Sequence, residues 1–179
     1  MNSFVLEIYK SFPLVTFYTV RWDESEYSET EKFIGRFLED ATHKESLFEI
    51  IALLKLMGEE EGALAIFFSR HENKAAALPP RKVKLSGGEN RLQSIEIRYE
   101  GNSLRLFCLR ITQNIVILFN GGIKSSWAAQ DSEDLSMKFV EANSFVKRIE
   151  KAERDQLFKI DEVRHLLIGD GENNEIVIY

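Results

Sequence analysis

The sequence has one cysteine, three histidines and three prolines among its 179 residues. A single cysteine excludes a disulfide within the chain, and the apolar stretch LRLFCLRI around Cys108 predicts that this side chain is buried. His43, His71 and His165 are scattered without the spacing of metal ligands, so we expect no metal ion and no cofactor. No apolar stretch approaches the roughly 20 residues that cross a bilayer, and the N-terminus does not look like a signal peptide. We therefore expect a cytoplasmic protein that contacts no membrane.

Net positive charge is also lacking. The formal net charge is −6, whereas proteins that bind nucleic acid through charge alone are usually basic. The charges are unevenly distributed, however. Residues 22–62 carry 12 acidic and 4 basic side chains and residues 131–179 carry 12 and 7, but residues 63–130 carry 10 basic and only 4 acidic ones. Two interpretations of this basic middle segment remain open, a solvated face and a surface for an anionic ligand.

The first third of the chain predicts a strand and a helical hairpin. Residues 14–23, LVTFYTVRWD, are rich in the aromatic and β-branched residues typical of strands. Ser28 stands three residues before Glu31, which is the spacing of a capping box, and apolar residues then recur at helical intervals. A second helix is predicted over residues 44–62, ending at Gly58 or Gly62.

The middle of the chain predicts a loop followed by three strands. Residues 63–91 contain Pro79-Pro80 and Gly87-Gly88, and they predict a long loop with short extended pieces. The segments RLQSIEIRYE, SLRLFCLRI and IVILFNGGIK then predict a three-stranded antiparallel meander. The third strand is apolar on both faces, which indicates a central position in the sheet, and Gly121-Gly122 are expected to form the turn that ends it.

The last third of the chain predicts a long amphipathic helix from Ser132, its N-cap, to about Phe158, and EIVIY predicts a short final strand. Taken together, these elements indicate an α/β protein of the α+β type. We expect a mainly antiparallel sheet packed against a helical hairpin and a C-terminal helix, in a single domain over residues 1–179.

Several cations fall on the predicted meander or at its ends: Arg98, Arg105, Arg110 and Lys124. If they converge on one surface of the sheet they would suit a phosphate group, because guanidinium groups bind phosphate oxygens through paired hydrogen bonds. They would also stabilise the charge that develops when a phosphodiester is cleaved. The alternative is a solvated face on which they pair with Glu96, Glu100 and the acidic helices.

Four short motifs occur in order along the chain: LLKLMGEEEG, LQSIEIRYEGNSLRLFCLRI, IVILFNGGIKSS and AQDSEDLSMKFVEANSFVKRIEKA. With the order of elements, they resemble the RelE/HigB-like toxins of type II toxin–antitoxin pairs, over a core of about residues 14–155 with extensions at both ends. The resemblance implies a metal-free endoribonuclease that usually cuts mRNA on the ribosome. It also implies a cognate antitoxin partner, expected to be a helix-turn-helix protein.

The resemblance also implies roles for individual residues. Arg98, Arg105 and Lys124 match the positions expected to orient the scissile phosphate and to stabilise its additional negative charge. Tyr99 and His71 are candidates for the group that assists proton transfer.

Two other functions remain open. Ser125 occupies the place of the family's second lysine and the net charge is acidic, which favours a non-catalytic module that binds a protein partner. The basic segment over residues 70–91 favours a nucleic-acid-binding protein that uses Arg81, Lys82 and Lys84. With Arg110, these three residues are the expected substrate-binding cations.

Overall fold

The computed structural model describes residues 2–72, 74–89, 91–124, 133–171 and 175–179, except the side chains of His71 and Glu72. Three α-helices and eleven strands are assigned within this part of the chain. The helices are α1 (Glu29–Leu38), α2 (Lys44–Leu56) and α3 (Glu133–Arg154). The strands are β1 (Phe4–Ser11), β2 (Thr16–Trp22), β3 (His71–Glu72), β4 (Ala75–Leu78), β5 (Lys82–Leu85), β6 (Ile95–Arg98), β7 (Leu104–Thr112), β8 (Ile115–Ile123), β9 (Phe158–Asp161), β10 (Leu166–Gly169) and β11 (Ile176–Ile178).

Seven strands form one sheet in the order β11-β1-β2-β8-β7-β4-β3. Every neighbouring pair is antiparallel except β2 and β8, which are parallel. The central position predicted for β8 is confirmed, and its residues are buried from Ile115 to Gly122. A strand in the middle of a sheet covered on both faces must be apolar on both sides, as this one is.

Each face of the sheet carries its own hydrophobic core. On one face the hairpin of α1 and α2 and the two-stranded sheet of β5 and β6 pack around Phe33, Leu47 and Leu106. On the other face α3 and the hairpin of β9 and β10 pack around Phe119 and Phe145. The expected mainly antiparallel sheet with a helical hairpin and a long helix is therefore present, and the hairpin and the long helix lie on opposite faces.

Both ends of the helical hairpin follow from local sequence. The Ser28 side chain accepts a hydrogen bond from the Glu31 amide while the Glu31 carboxylate accepts one from the Ser28 amide, which confirms the predicted capping box. After α2 the chain continues as a π-helical turn, Met57–Glu61, and stops at Gly62, whose φ of +77° is a backbone conformation that suits glycine.

The predicted three-stranded meander is wrong in its first strand. β6 pairs with β5 in a separate two-stranded sheet, with Lys82 opposite Arg98. The neighbours of β7 are β8 on one side and β4 on the other. The segment interpreted as a loop with short extended pieces supplies β3, β4 and β5. Because the four residues of β4 are small or apolar and all buried, β4 takes the place beside β7 that the meander had assigned to β6.

The expectation that Gly121-Gly122 form a turn is also wrong, because both glycines lie within β8 and pair with β7. Their role is steric. A Cβ added to Gly121 would lie 1.8 Å from the Arg105 carbonyl oxygen, and one added to Gly122 would lie 2.7 Å from Asp134 Oδ2 at the start of α3. The glycines therefore allow β7 and α3 to approach β8 closely.

The two ends of the chain meet at one edge of the main sheet. β1 was not predicted from the sequence; it pairs with β2 and with the final strand β11, which was predicted.

Cys108 is fully buried as expected. No helix in the described part of the chain is both long and apolar enough to cross a membrane.

Candidate functional site

A β-bulge determines the direction of the C-terminal end of β8. Between the pairs Cys108–Leu118 and Leu106–Gly121, β8 contains one residue more than β7. An extra residue reverses the alternation of side chains beyond it. The residues of β8 after the bulge therefore change faces, so that Gly122 comes opposite Arg105, on the α3 side of the sheet.

Lys124 follows directly after β8, and its amide donates to the Ser103 carbonyl over 2.7 Å. Partial burial lowers the pKa of the Lys124 ammonium, and the nearby cations Arg105, Arg70 and Arg81 lower it further. We call these four residues the Lys124 cluster. In the part of the chain that the structure describes, the Lys124 ammonium makes no ion pair with a carboxylate.

Arg105 contributes charge to the cluster from a buried position, with only 4% of its surface exposed. Its Nη1 donates to the carbonyl oxygens of Leu104, over 2.6 Å, and Asn102, over 3.4 Å. These bonds hold the guanidinium in place, so that Arg105 acts as a fixed positive charge beside Lys124 rather than as a flexible contact. Of the three residues to which the resemblance assigns catalysis, Arg105 and Lys124 are brought together.

The third, Arg98, is placed elsewhere. It lies on the outer face of the β5–β6 hairpin, where its guanidinium is 2.7 Å from a Glu96 carboxylate oxygen and 3.3 Å from a Glu100 one. For Arg98 the alternative interpretation, a cation paired with Glu96 and Glu100 on a solvated face, is the one the structure supports. The exposed side chains of Lys82 and Lys84 share this outer face and, within the described residues, have no carboxylate partner.

Two of the remaining candidates face inwards. Tyr99 is 7% exposed, and burial together with the charge of Glu49 raises the pKa of its hydroxyl. Arg110 lies near the other end of β7, where its Nε donates to the Ala63 carbonyl over 2.6 Å. Five residues separate it from Arg105, which is about 17 Å along a strand. Arg110 therefore does not share a site with Lys124.

Three residues singled out from the sequence lie wholly or partly outside the described residues. The side chain of His71 and the whole of Ser125 are outside the described residues, as is the predicted N-cap Ser132.

A histidine at the start of α2, which no sequence pattern indicated, contacts the segment before β7. His43 Nδ1 lies 2.6 Å from the Ser103 hydroxyl, and Ser103 in turn contacts the Ser46 hydroxyl over 3.1 Å. Asn102 completes this network by donating to the Ser46 carbonyl and to the Glu49 carboxylate. No spacing in the sequence brings residues 43 and 103 together, because the contact depends on where α2 begins relative to β7.

A second charged group lies around Asn120 of β8, where side chains of α1 and α3 approach it. The Glu29 carboxylate is 1% exposed and accepts from Asn120 Nδ2 over 2.8 Å and from Lys32 Nζ over 2.6 Å. Lys138 of α3 approaches the same carboxylate to 3.9 Å. Here negative and positive groups balance each other. We call these four residues the Glu29 cluster.

The described residues offer no metal site, since no three His, Cys, Asp or Glu side chains among them come together as ligands. A cleft of about 480 Å³ lies beside β1 and β11, and its lining, which includes Tyr18 and Leu167, contains none of the predicted site residues.

Comparison of the chain with protein-family models, with curated proteins and with solved structures finds no match. The functional assignment therefore depends on the geometry of the site and on the resemblance of its motifs.

Proposed function

We propose that the protein binds the phosphate backbone of RNA at the Lys124 cluster. The observation that carries this proposal is the environment of Lys124, a partly buried ammonium that lies near Arg105, Arg70 and Arg81 and pairs with no described carboxylate. Of these arginines, Arg81 also pairs with Glu100 over 3.4 Å. Bringing like charges together is unfavourable unless an anion offsets their repulsion. A phosphodiester supplies that anion, and guanidinium groups are suited to its oxygens.

The basic face of the β5–β6 hairpin supports a polymer as the ligand. Arg81 belongs to the Lys124 cluster and also begins the segment that carries Lys82 and Lys84 on the exposed side of β5. The cations therefore continue from the end of β8 onto the hairpin, where Glu96 and Glu100 pair with Arg98 and Arg81. Lys82 and Lys84 remain to contact successive phosphates.

The proposal includes cleavage. In the RelE/HigB-like toxins that the motifs resemble, bound RNA is cut without a metal ion, and we propose the same activity here, on mRNA, with an antitoxin as partner. Lys124 and Arg105 lie close together, which supports a catalytic role for these two of the three residues that the resemblance implies. We assign Arg105 the role of a fixed positive charge that stabilises the extra negative charge of the transition state. Arg98 is not part of the proposed catalytic group, because it lies on the outer face of the β5–β6 hairpin.

RNA binding to the purified protein tests this proposal. We expect Lys124→Ala to weaken binding of a labelled single-stranded RNA in fluorescence anisotropy by about 1 kcal/mol, and to lower the salt dependence by about one phosphate contact. Lys147→Ala removes an exposed lysine of α3 outside the cluster and should change neither quantity. Equal affinity and equal salt dependence of Lys124→Ala and the wild-type protein would contradict the proposal.

Cleavage is tested separately. Induction of the wild-type gene in a bacterial host should arrest growth, and Lys124→Ala should relieve the arrest at equal protein abundance. Primer extension on mRNA from the induced cells should show cuts that the variant lacks. Normal growth with abundant, folded wild-type protein would reject the cleavage activity and leave RNA binding to be decided by the anisotropy measurement.

A second candidate function, a module that binds a protein partner, is favoured by the outer face of α2. Phe48 is 47% exposed and Ile51 is 38% exposed, one helical turn apart, and the exposed carboxylates Glu45 and Glu49 stand on the same helix. An apolar stripe bordered by acidic groups suits a basic amphipathic segment of a partner. Phe48→Ser should abolish co-purification with a protein encoded by the adjacent reading frame, while Lys124→Ala should leave it intact.

A further inference from the structure

We propose that a small cavity between β4 and β7 binds a small apolar carboxylate, with Arg110 as the residue that holds the carboxylate group. The cavity has a volume of about 240 Å³ and is lined by Ala65, Phe68, Lys74, Ala76, Leu109 and Arg110. Arg110 is about 17 Å along β7 from Arg105. The cavity is therefore separate from the Lys124 cluster, and its ligand does not depend on the proposed function.

The cavity forms where β4 stops covering β7. β4 pairs with β7 only from Leu106 to Cys108, so Leu109 and Arg110, the next described residues of β7, have no strand partner on that side. The 3₁₀ turn Ala65–Phe68 borders the space that remains. The fold thus leaves a gap beside the sheet with a guanidinium group in its lining.

The Arg110 guanidinium is oriented by the protein but keeps donors to offer. Its Nε donates to the Ala63 carbonyl over 2.6 Å, which holds the planar group in place. Within the described part of the chain, Nη1 and Nη2 have neither a hydrogen-bond acceptor nor a carboxylate partner. Two N–H groups of a guanidinium match the two oxygens of a carboxylate. Arg110 therefore presents a preoriented site for such a group.

The second cation of the cavity is neutralised by the protein itself. The Lys74 ammonium pairs with the Glu150 carboxylate of α3. The backbone there is fixed as well, because the amides of Lys74 and Ala75 donate to Asn143 Oδ1 over 2.9 and 3.0 Å. Among the described lining residues this leaves one unbalanced positive charge. One charge suits a monoanion better than a phosphate monoester, whose charge is about −2.

The other lining residues favour an apolar ligand of limited size. Phe68 is 3% exposed and packs in the core on the helical-hairpin face, while Ala65 and Ala76 have short side chains that leave the space open. Pockets for drug-sized molecules measure roughly 300–1,000 Å³, so this cavity suits a smaller molecule. A single ring or short chain with one carboxylate, of the size of benzoate, meets both requirements.

Titration of the purified protein with benzoate, followed by amide NMR shifts, tests the proposal. We expect a roughly millimolar dissociation constant, which is usual for so small a ligand, and shifts at the amides of Phe68, Ala76 and Arg110. Benzamide has the same shape without the charge and should bind about 10-fold more weakly or less. Inorganic phosphate should not displace benzoate.

Two substitutions address the charge and the space separately. Arg110→Gln keeps a side-chain donor for the Ala63 carbonyl but removes the guanidinium, and it should weaken benzoate binding about 10-fold or more. Ala65→Leu adds bulk at an exposed position of the lining, so it should fold and should weaken binding to a similar extent. Arg154→Gln removes an exposed arginine at the end of α3 and is the matched control, with unchanged binding.

Each contrary result has a distinct meaning. Equal binding of benzoate and benzamide to the wild-type protein would overturn the role of the charge, whatever the variants do. Unchanged benzoate affinity in both Arg110→Gln and Ala65→Leu, or no shift at the cavity amides, would overturn the site. Since Lys124 takes no part in the cavity, none of these results bears on RNA binding, and loss of RNA binding in Lys124→Ala says nothing of the cavity.

Discussion

The end of β8 carries two charged groups that are built in opposite ways. In the Glu29 cluster, the buried Glu29 carboxylate is matched by Asn120 and Lys32. In the Lys124 cluster, burial lowers the pKa of the Lys124 ammonium, the nearby arginines lower it further, and no described carboxylate pairs with it. The bulge in β8 lies between the two, because Asn120 bonds to Glu29 whereas Gly122, after the bulge, faces α3.

We expect the Glu29 cluster to have a structural role and the Lys124 cluster to bind a ligand. A buried charge whose hydrogen bonds are all made within the protein stabilises a particular arrangement, here the position of α1 on the sheet. An ammonium that lies near other cations and pairs with no described carboxylate, as Lys124 does, gains from a bound anion. The Glu29 cluster should therefore respond to mutation in stability, and the Lys124 cluster should respond in binding.

The largest effect on stability should come from Gly121, the position between the two clusters. We expect Gly121→Ala to lower the free energy of unfolding by about 3 kcal/mol, because the added Cβ would meet the Arg105 carbonyl oxygen at 1.8 Å and force β7 and β8 apart. Urea denaturation followed by circular dichroism measures this change.

Gly35→Ala is the matched control for that substitution. Gly35 lies in α1 with no atom within 4 Å of an added Cβ, so alanine there should stabilise the protein by about 1 kcal/mol through its higher helix propensity. A Gly121→Ala variant as stable as the wild-type protein would contradict the close approach of the Arg105 backbone to Gly121.

Those parts of the fold that depend on local sequence could be predicted. The capping box at Ser28 and Glu31 involves residues three apart, and the central position of β8 follows from its apolar composition. The pairing of β6 could not be predicted from local sequence, since β6 and β4 are both short and only the packed structure selects β4 as the partner of β7.

The candidate site was predictable only in part. Lys124 was identified because it follows a recognisable strand, but the bulge that determines its direction leaves no mark in the sequence beyond two glycines. Arg98 was misplaced together with β6. His43 was missed because its contact with Ser103 spans 60 residues and depends on the packing of α2 against the end of β7.

The Glu29 cluster should show the next largest effect on stability. Glu29→Ala leaves the buried Asn120 amide without its acceptor and removes the carboxylate that pairs with Lys32, and we expect a loss of about 2 kcal/mol in urea denaturation. RNA affinity should be unchanged. A Glu29→Ala variant of wild-type stability, or one that loses RNA binding, would contradict the distinction between a structural and a functional cluster.

Arg98 tests whether a paired cation on the exposed hairpin behaves differently from Lys124. Its partners Glu96 and Glu100 are exposed, and ion pairs of this kind contribute little, so Arg98→Gln should lower stability by about 0.5 kcal/mol or less. Because its charge is already neutralised, we expect a smaller loss of RNA affinity than for Lys124→Ala in the same anisotropy assay. Equal losses would place Arg98 among the phosphate-binding residues.

The smallest effect on stability should come from Lys124 itself, and it should have the opposite sign. Lys124→Gln relieves repulsion from Arg105, Arg70 and Arg81, so it should stabilise the free protein by up to about 0.5 kcal/mol, and less at high salt.

The pKa of Lys124 is lowered on folding from its ordinary value of 10.5. Between the lowered pKa and 10.5, the unfolded chain therefore binds more protons than the folded one. The stability of the wild-type protein relative to Lys124→Gln must therefore rise with pH through that range, and the advantage of the variant should disappear near pH 10.5. An advantage that instead grows with pH would mean that an anionic group of the protein itself stabilises the ammonium, and the Lys124 cluster would then be balanced as the Glu29 cluster is.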